Sequence, residues 1–406
     1  MIILLEGAIP CNCNCKYCYQ QTIRKKLSYN YNLDAVLNTA RRLHEQIPND
    51  PIILHGGEPL TLPFKDIERI LSYTYKLQGY AVITTNGTLI NDSLIELFKR
   101  YRTSVTISID GFYPLNELRC YPNNAEKCKK YTSTVLKNIE LLRAENIAVE
   151  LMLVIHRKNA VGDRLKLLEK FIIKMAKLGV TFGKINWVRT YNRNEDYALT
   201  PEEILYALKS IAKLTLFYPG VRYDPIPFFL ENLWGMKPLN DCYFSMCDIF
   251  CTTRAKRILG DGRVANCSCS SPFYDTLQTE EPSYERYMAL QKIPVSDGGC
   301  KGCKYWNVCF GGCPANAPDW RMRDRNCRLF YKLYSMFEES IRNFESIFNT
   351  HFELASDKPP VVIEDKPVHR IIHKIHHDNS TIPKKTTING ITVIERADTI
   401  EVIYDG

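Results

Sequence analysis

The sequence predicts an α/β fold: a partial (β/α)6 barrel followed by a cysteine-rich domain and a small C-terminal extension. Three observations carry that expectation. Short β-branched runs alternate with longer segments of helical period over residues 2–214, cysteines crowd into 242–327, and composition changes again after 354. Six strand-then-helix units in succession imply a parallel sheet with right-handed crossovers. Six are too few for a closed eight-stranded barrel, so the sheet should stay open, with its chemistry at the carboxyl ends of the strands.

The strands are expected at 2–8, 51–55, 81–85, 104–109, 148–155 and 182–188. Between and after them, apolar residues recur at i, i+3, i+4 over 33–47, 64–77, 92–100, 125–145, 164–178 and 201–214, which predicts helices. Asn91-Asp92 and Thr200-Pro201-Glu202-Glu203 are helix starts, combining an N-cap with early acids and, in the second, Pro in the first turn. The expected domains are 1–228 for the barrel, 229–350 for the bridge and cysteine-rich domain with its helix, and 351–406 for the extension.

With 406 residues, 45% hydrophobic and 24% charged, the chain is not disordered or collagen-like. No apolar run reaches the ~18 residues of a membrane span, and the first ten residues lack the basic region of a signal peptide. Sixteen cysteines without an export signal point to metal ligands in a cytoplasmic protein rather than a disulfide framework. The net charge of +8 is mild, and no long Lys/Arg block points to nucleic acid.

The loops after the first four strands carry unusual residues. They read Cys11-Asn-Cys-Asn-Cys15-Lys-Tyr17-Cys18-Tyr, then Gly56-Gly57-Glu58-Pro59, then Thr84-Thr85-Asn86-Gly87, then Ser108-Ile109-Asp110-Gly111. Each motif alone is ordinary turn chemistry. Four at successive strand ends are hard to attribute to turns. Cys11-x3-Cys15-x2-Cys18 offers three thiolates to a cubic [4Fe–4S] cluster that wants four, leaving one iron open. A zinc site recruiting Cys13 as fourth thiolate is the alternative on this loop alone.

Together, CNCNCKYCY and GGEP resemble the radical S-adenosylmethionine superfamily over residues 1–214, whose Cx3Cx2C loop ends the first strand of a partial (β/α)6 barrel. The resemblance implies that Cys11, Cys15 and Cys18 ligate the cluster and that its open iron chelates S-adenosylmethionine. One electron would then yield a 5′-deoxyadenosyl radical that abstracts a substrate hydrogen. It further implies that Tyr17 packs on the adenine, that Gly56, Gly57, Glu58 and Pro59 present carbonyls to the methionyl amine, and that Thr85 and Asn86 line the cofactor loop. Ser108 and Asp110 stand where the ribose or carboxylate is met. Arg119 is a candidate carboxylate partner, because a guanidinium grips a carboxylate with two parallel bonds. Cys13 departs from the residue types usual at its position and leaves the ligand register ambiguous.

The later cysteines form a second pattern. Cys251 precedes Gly262 by ten residues and Gly262 precedes Cys267 by four; Cys300-x2-Cys303-x5-Cys309-x3-Cys313 and Cys327 follow. This is similar to the SPASM extension, whose seven positions all match. The resemblance implies two auxiliary [4Fe–4S] clusters, three clusters in all: Cys247, Cys251, Cys267 and Cys313 for one, Cys300, Cys303, Cys309 and Cys327 for the other, with Cys242 second to Cys247. A zinc ribbon of Cys300, Cys303, Cys309 and Cys313 is the alternative. Gly298-Gly299 and Gly311-Gly312 should let backbone approach a cluster, and Arg321, Arg323, Arg325 and Arg328 either offset cluster charge or form a solvated face. Eleven thiolates and three clusters would bring the +8 down to about +3, so no polyanionic partner is needed.

Cys13, Cys120, Cys128, Cys242 and Cys269 remain. Cys120 and Cys128 flank an insertion near the expected site; a redox or substrate role is open, against inert thiols in a reducing compartment. In the extension, His369, His373, His376 and His377 have a helical spacing that can bind metal, or belong to an exposed helix. The stretch 386–394 around Asn389-Gly390 is a hairpin signal and 399–404 a third strand. Such a sheet could add a peptide strand or cap the barrel.

The SPASM resemblance implies a maturase of ribosomally made peptides or proteins, forming thioether or carbon–carbon crosslinks. The alternatives are a sulfatase-maturating, formylglycine-generating enzyme and a non-enzymatic iron–sulfur or zinc scaffold. Ser268 stands where the sulfatase maturases carry an aspartate base, which lowers that reading. A flavodoxin- or ferredoxin-type reductant is implied. No leader-binding domain is expected before Cys11, so recognition falls to the barrel mouth, the 230–250 bridge, the extension or a separate recognition protein. His156, Asn186 and Arg189 are substrate-side candidates.

Overall fold

Parallel strands buried on both faces are near-continuous apolar runs, and those runs set the frame here. The computed structural model describes residues 2–5, 8–18, 30–188, 194–218, 220–236, 256–265, 284–313, 316–318, 322–360 and 362. Beyond these it describes only the backbone of three late strands.

The expected alternation is present. It runs β1 (Ile2–Leu4), α1 (Leu33–Gln46), β2 (Ile52–Leu54), α2 (Phe64–Gln78), β3 (Ala81–Thr85), α3 (Asp92–Arg100), β4 (Thr103–Ser108) and α4 (Ala125–Ala144). It continues with β5 (Val149–Ile155), α5 (Asp163–Lys177), β6 (Phe182–Trp187) and α6 (Pro201–Phe217). The helix starts follow local chemistry. Asn32, Asn91 and Asn124 each accept a first-turn backbone N–H, and Thr200 forms a reciprocal capping box with Glu203 behind Pro201.

The sheet is longer than six strands. β7 (Arg222–Asp224) extends it in parallel beyond β6, and α7 (Ile226–Leu233) follows. At the other end β8 (Lys256–Ile258) pairs in parallel with β1 and turns into an antiparallel β9 (Val264–Ala265). The order is β7-β6-β5-β4-β3-β2-β1-β8-β9. Each added strand has two or three residues, too few to show a period in sequence.

After α8 (Tyr284–Lys292) and the single turn α9 (Trp306–Cys309), the long α10 (Cys327–Phe348) returns to pack on α6 and α7. Its Tyr334 sits edge-on to Phe229, 4.8 Å between ring centres, and its hydroxyl donates to the Val308 carbonyl at 3.0 Å. The cysteine-bearing turns are thereby tied to the barrel's apolar core. Residues through Ile363 form one compact unit and Glu364–Gly406 a second. The second unit contains an antiparallel sheet of β10 (Lys384–Ile388), β11 (Ile391–Glu395) and β12 (Ile400–Tyr404), where the hairpin and third strand were expected. The four histidines at 369–377 lie outside the described residues. Among the described residues no helix is long and apolar enough to cross a membrane.

Candidate functional site

The loop after β1 is held by its neighbours through backbone. The Glu58 N–H donates to the Pro10 carbonyl at 2.8 Å, Asn14 N–H to Cys120 O at 2.9 Å, and Lys16 N–H to Leu118 O at 2.9 Å. Gly57, at φ +52°, faces this loop so closely that a Cβ would collide with the Ile9 and Pro10 carbonyl oxygens. Cys11, Cys15 and Cys18 carry no disulfide. Cys15 accepts the Cys120 N–H at 3.3 Å. Burial pushes its thiol up to about 11 against the pull of Arg119, so a cationic metal is needed to hold it as thiolate. Among the described residues no three such groups close round a single ion; in an iron–sulfur cube each thiolate goes to its own iron. Cys120 corrects the expectation of inert thiols made for it and Cys128, and the partner is Cys13. The two are 107 residues apart and are bonded because the loops after β1 and β4 lie side by side, which spacing could not reveal. Cys128 stays a thiol and donates to the Asn116 carbonyl at 3.3 Å.

The loops after β2 and β3 are joined by Glu58. One carboxylate oxygen accepts the Leu60 N–H at 3.0 Å and the Thr85 hydroxyl at 2.6 Å; the other accepts the Asn86 N–H at 2.6 Å. The Asn86 side chain reaches on to Asn12 at 2.7 Å. Gly56 and Pro59 flank this lock, Pro59 opening a 3₁₀ turn. Burial raises the Glu58 pKa to about 7 although all three donors favour the anion. A carboxyl held near 7 when folded and near 4.5 when unfolded gives its full stability below 4.5 and loses it as pH rises through 7, about 3 kcal/mol in all. Urea unfolding midpoints should therefore fall from about pH 5 to about pH 8 in wild type and much less in Glu58→Gln. Equal slopes in the two proteins would assign the titration elsewhere.

Asp110 is the hub under the barrel mouth and has no exposed surface. One oxygen accepts Arg119 Nη2 at 2.8 Å and the Val154 N–H at 2.9 Å; the other accepts the Tyr17 hydroxyl. Burial opposes its charge, but Arg119 and His156 outweigh it and hold the carboxyl far below its usual range. Tyr17 lies beneath the Arg119 guanidinium, 5.5 Å to the ring centre, and 5.6 Å from the His156 ring. Ser108 takes part through its carbonyl, which accepts the Tyr131 hydroxyl at 3.2 Å.

His156 is one of the three substrate-side candidates from sequence. It is fully buried, its Nδ1 accepts the Lys158 N–H at 3.1 Å, and its Nε2 points to Asp110 at 3.8 Å. The end of β5 turns inward, so the imidazole joins Asp110 and Tyr17. Asn186 is half-buried on β6, and Arg189 lies outside the described residues. Among the described residues Arg119 Nε is buried without a hydrogen-bond partner, and His156 Nε2 has only the long approach to Asp110. An unsatisfied guanidinium nitrogen beside a three-thiol loop fits a polar cofactor that presents an acceptor such as a carboxylate.

In the second cysteine group, the thiols of Cys300, Cys303, Cys309 and Cys327 lie in mutual electrostatic range. Burial raises Cys309 far above its usual value, reinforced by Cys327, Cys300 and Cys303; burial takes Cys300 to about 12. The Cys313 N–H donates to Asp324 at 3.1 Å. Cys247, Cys251, Cys267, Cys242 and Cys269 lie outside the described residues. A Cβ on Gly311 would sit 3.5 Å from Cys300 Sγ, whereas Gly312 faces Asp324 and Phe330, Gly298 faces Met322 and Gly299 abuts the Ile293 backbone.

Of the arginines named from sequence, Arg323 faces the thiols and lowers Cys300, Cys303 and Cys327, while Arg328 pairs with Glu202 at 3.3 Å. Arg321 lies outside the described residues. Sequence reasoning missed Arg286. It is fully buried on α8, donates to the Gly311 and Met322 carbonyls at 3.1 Å, and pulls the Cys300 pKa down. A lone arginine in a polar helix carries no signal that would have found it.

The profile of the Radical SAM superfamily matches residues 10–171. The chain is 30% identical to an uncharacterized protein of Methanocaldococcus jannaschii over 258 residues, covering 61% of this chain and 79% of the relative. It is 23% identical to a cysteine-type anaerobic sulfatase-maturating enzyme of Clostridium novyi, over 86% of this chain and 97% of the relative. Among solved structures, native anSMEcpe with bound AdoMet and Cp18Cys peptide superposes with a TM-score of 0.62 at 19% identity, covering 86% and 98% of the two chains. That likeness establishes fold alone. Profile, relative and site geometry together place the chain: it belongs to the radical SAM superfamily.

Proposed function

We propose that this protein is a radical S-adenosylmethionine enzyme that oxidatively modifies a ribosomally made peptide or protein by thioether or carbon–carbon crosslinking. Cys11, Cys15 and Cys18 would hold the cluster that binds S-adenosylmethionine, and the Cys300, Cys303, Cys309 and Cys327 set an auxiliary one. The observation that carries the reading is the pairing of these two thiol groups in one compact unit, the first beside buried Asp110 and Arg119. When bound, cluster and S-adenosylmethionine supply a 5′-deoxyadenosyl radical, and the auxiliary clusters an acceptor for the second electron of the oxidation.

The chain's own residues orient and shield. Asp110 fixes Arg119 through one nitrogen and leaves Nε to grip a carboxylate. Glu58 locks the glycine loop so that its carbonyls are preset for an ammonium group. Burial of Asp110, Glu58 and His156 keeps water out of the radical's surroundings. The substrate class is supported by the relatives, one named for maturing sulfatases and one solved with a peptide.

The sulfatase-maturase reading is favoured by the near full-length match to the Clostridium novyi enzyme and opposed by Ser268. Reconstitution with iron and sulfide, then dithionite, S-adenosylmethionine and a cysteine-bearing peptide, separates the two. Loss of two hydrogens from the peptide supports crosslinking; replacement of the thiol by an aldehyde supports formylglycine formation. Stoichiometric zinc with no 5′-deoxyadenosine would overturn both and leave a scaffold. A flavodoxin- or ferredoxin-type reductant, a separate recognition protein and a cytoplasmic setting belong to this same reading.

A further inference from the structure

The β1 loop contains four thiols in eight residues: Cys11, Cys13, Cys15 and Cys18. A cluster with an open iron takes three, and nothing in the loop's spacing stops Cys13 from displacing a neighbour. We propose that the Cys13–Cys120 disulfide removes this fourth thiol from competition for iron and so fixes the ligand register as Cys11, Cys15 and Cys18. The proposal rests on the assignment of those three as cluster ligands.

Three observations converge on it. The two cysteines are 107 residues apart in sequence, yet their Cα atoms are 4.1 Å apart, and both are buried, at 7% and 1% exposure. The segments around them are zipped by backbone, with Asn14 and Lys16 donating to the Cys120 and Leu118 carbonyls. Cys120 also holds a left-handed conformation, φ +61°, uncommon for a residue with a side chain. In that conformation its N–H points at Cys15 Sγ, 3.3 Å away, while its own sulfur reaches Cys13. One residue thus contacts a cluster ligand through backbone and occupies the competing thiol through its side chain. Arg119, next along the chain, turns the other way to Asp110, so the bond also ties the arginine's segment to the cluster loop.

Formation joins two thiols into one disulfide. Two protons and two electrons leave, and a low-molecular-weight disulfide takes them up as it is cleaved to two thiols. Once formed, the bond is shielded, since thiolate exchange needs access to a sulfur. Cys128 is buried in a separate contact, its thiol donating to the Asn116 carbonyl.

The test begins with cluster-loaded protein prepared without added thiol, quenched in acid, alkylated and mapped without reduction. A peptide linking Cys13 to Cys120 is expected in most molecules. Full alkylation of both cysteines in protein that cleaves S-adenosylmethionine normally would overturn the proposal. The second arm reads the change that S-adenosylmethionine causes in the electron paramagnetic resonance of the reduced cluster. Cys120→Ser, which liberates Cys13, should lower that signal per chain about tenfold. Cys13→Ser/Cys120→Ser should restore it, since no competing thiol remains. A single variant that loads like wild type, or a double variant as impaired as the single, would sink the idea. A linked peptide in protein that shows no cluster signal at all would instead strike the ligand assignment, which keeps the two failures apart.

Discussion

Cys15→Ala should abolish 5′-deoxyadenosine formation from S-adenosylmethionine while Cys13→Ala retains it. Cys11, Cys15 and Cys18 are the three thiols the loop can offer once Cys13 is bonded elsewhere, and a cube that has already given up one protein ligand has none to spare. Cys15 is enclosed by charge, facing Arg119 and Asp110 and receiving the Cys120 N–H. Cys13→Ala takes away only the competitor. Iron analysis gives an independent readout: with three cubes, wild type should hold about 12 irons per chain and Cys15→Ala about 8. Unchanged deoxyadenosine in Cys15→Ala, or its loss in Cys13→Ala, would move the cluster to another cysteine set.

Much of this arrangement was legible because it rests on local rules. β3 and α3 have the expected ends, since Thr85 closes a β-branched run and Asn91 caps the helix that follows. The four loop motifs do converge, as expected of chemistry at the carboxyl ends of parallel strands: Glu58 meets Thr85 and Asn86, and Tyr17 meets Asp110. The misses share a different cause. β7 and β8 are three residues long and owe their pairing to neighbours already in the sheet. The Cys13–Cys120 bond and the inward turn of His156 depend on which loops lie side by side, and a periodicity within one segment contains nothing about that. Arg286 is buried because carbonyls of the cysteine turns fold over it, again a long-range fact.

Asp110→Ala should destabilise the protein by about 3–5 kcal/mol, because it strands a buried charge. Arg119 is 6% exposed, and among the described residues its one carboxylate contact is Asp110. With the carboxylate gone, the guanidinium keeps its desolvation cost and loses the Coulomb attraction that offset it. The Val154 N–H and the Tyr17 hydroxyl lose their acceptor in the same stroke. The sign of the double variant decides between this account and simple loss of packing. Asp110→Ala/Arg119→Met removes the stranded charge while filling the arginine's apolar volume, so it should be more stable than Asp110→Ala alone. If instead the two substitutions add, Arg119 was never dependent on Asp110. The comparison is made by urea unfolding near neutral pH, well above the range where Asp110 titrates. A cofactor-linked readout accompanies it. The orphaned Arg119 Nε is the donor assigned to the S-adenosylmethionine carboxylate, so a guanidinium released from Asp110 should weaken cofactor binding even where the fold survives. Restored stability in the double variant without restored binding is the expected pattern, since methionine replaces the volume of Arg119 and none of its donors.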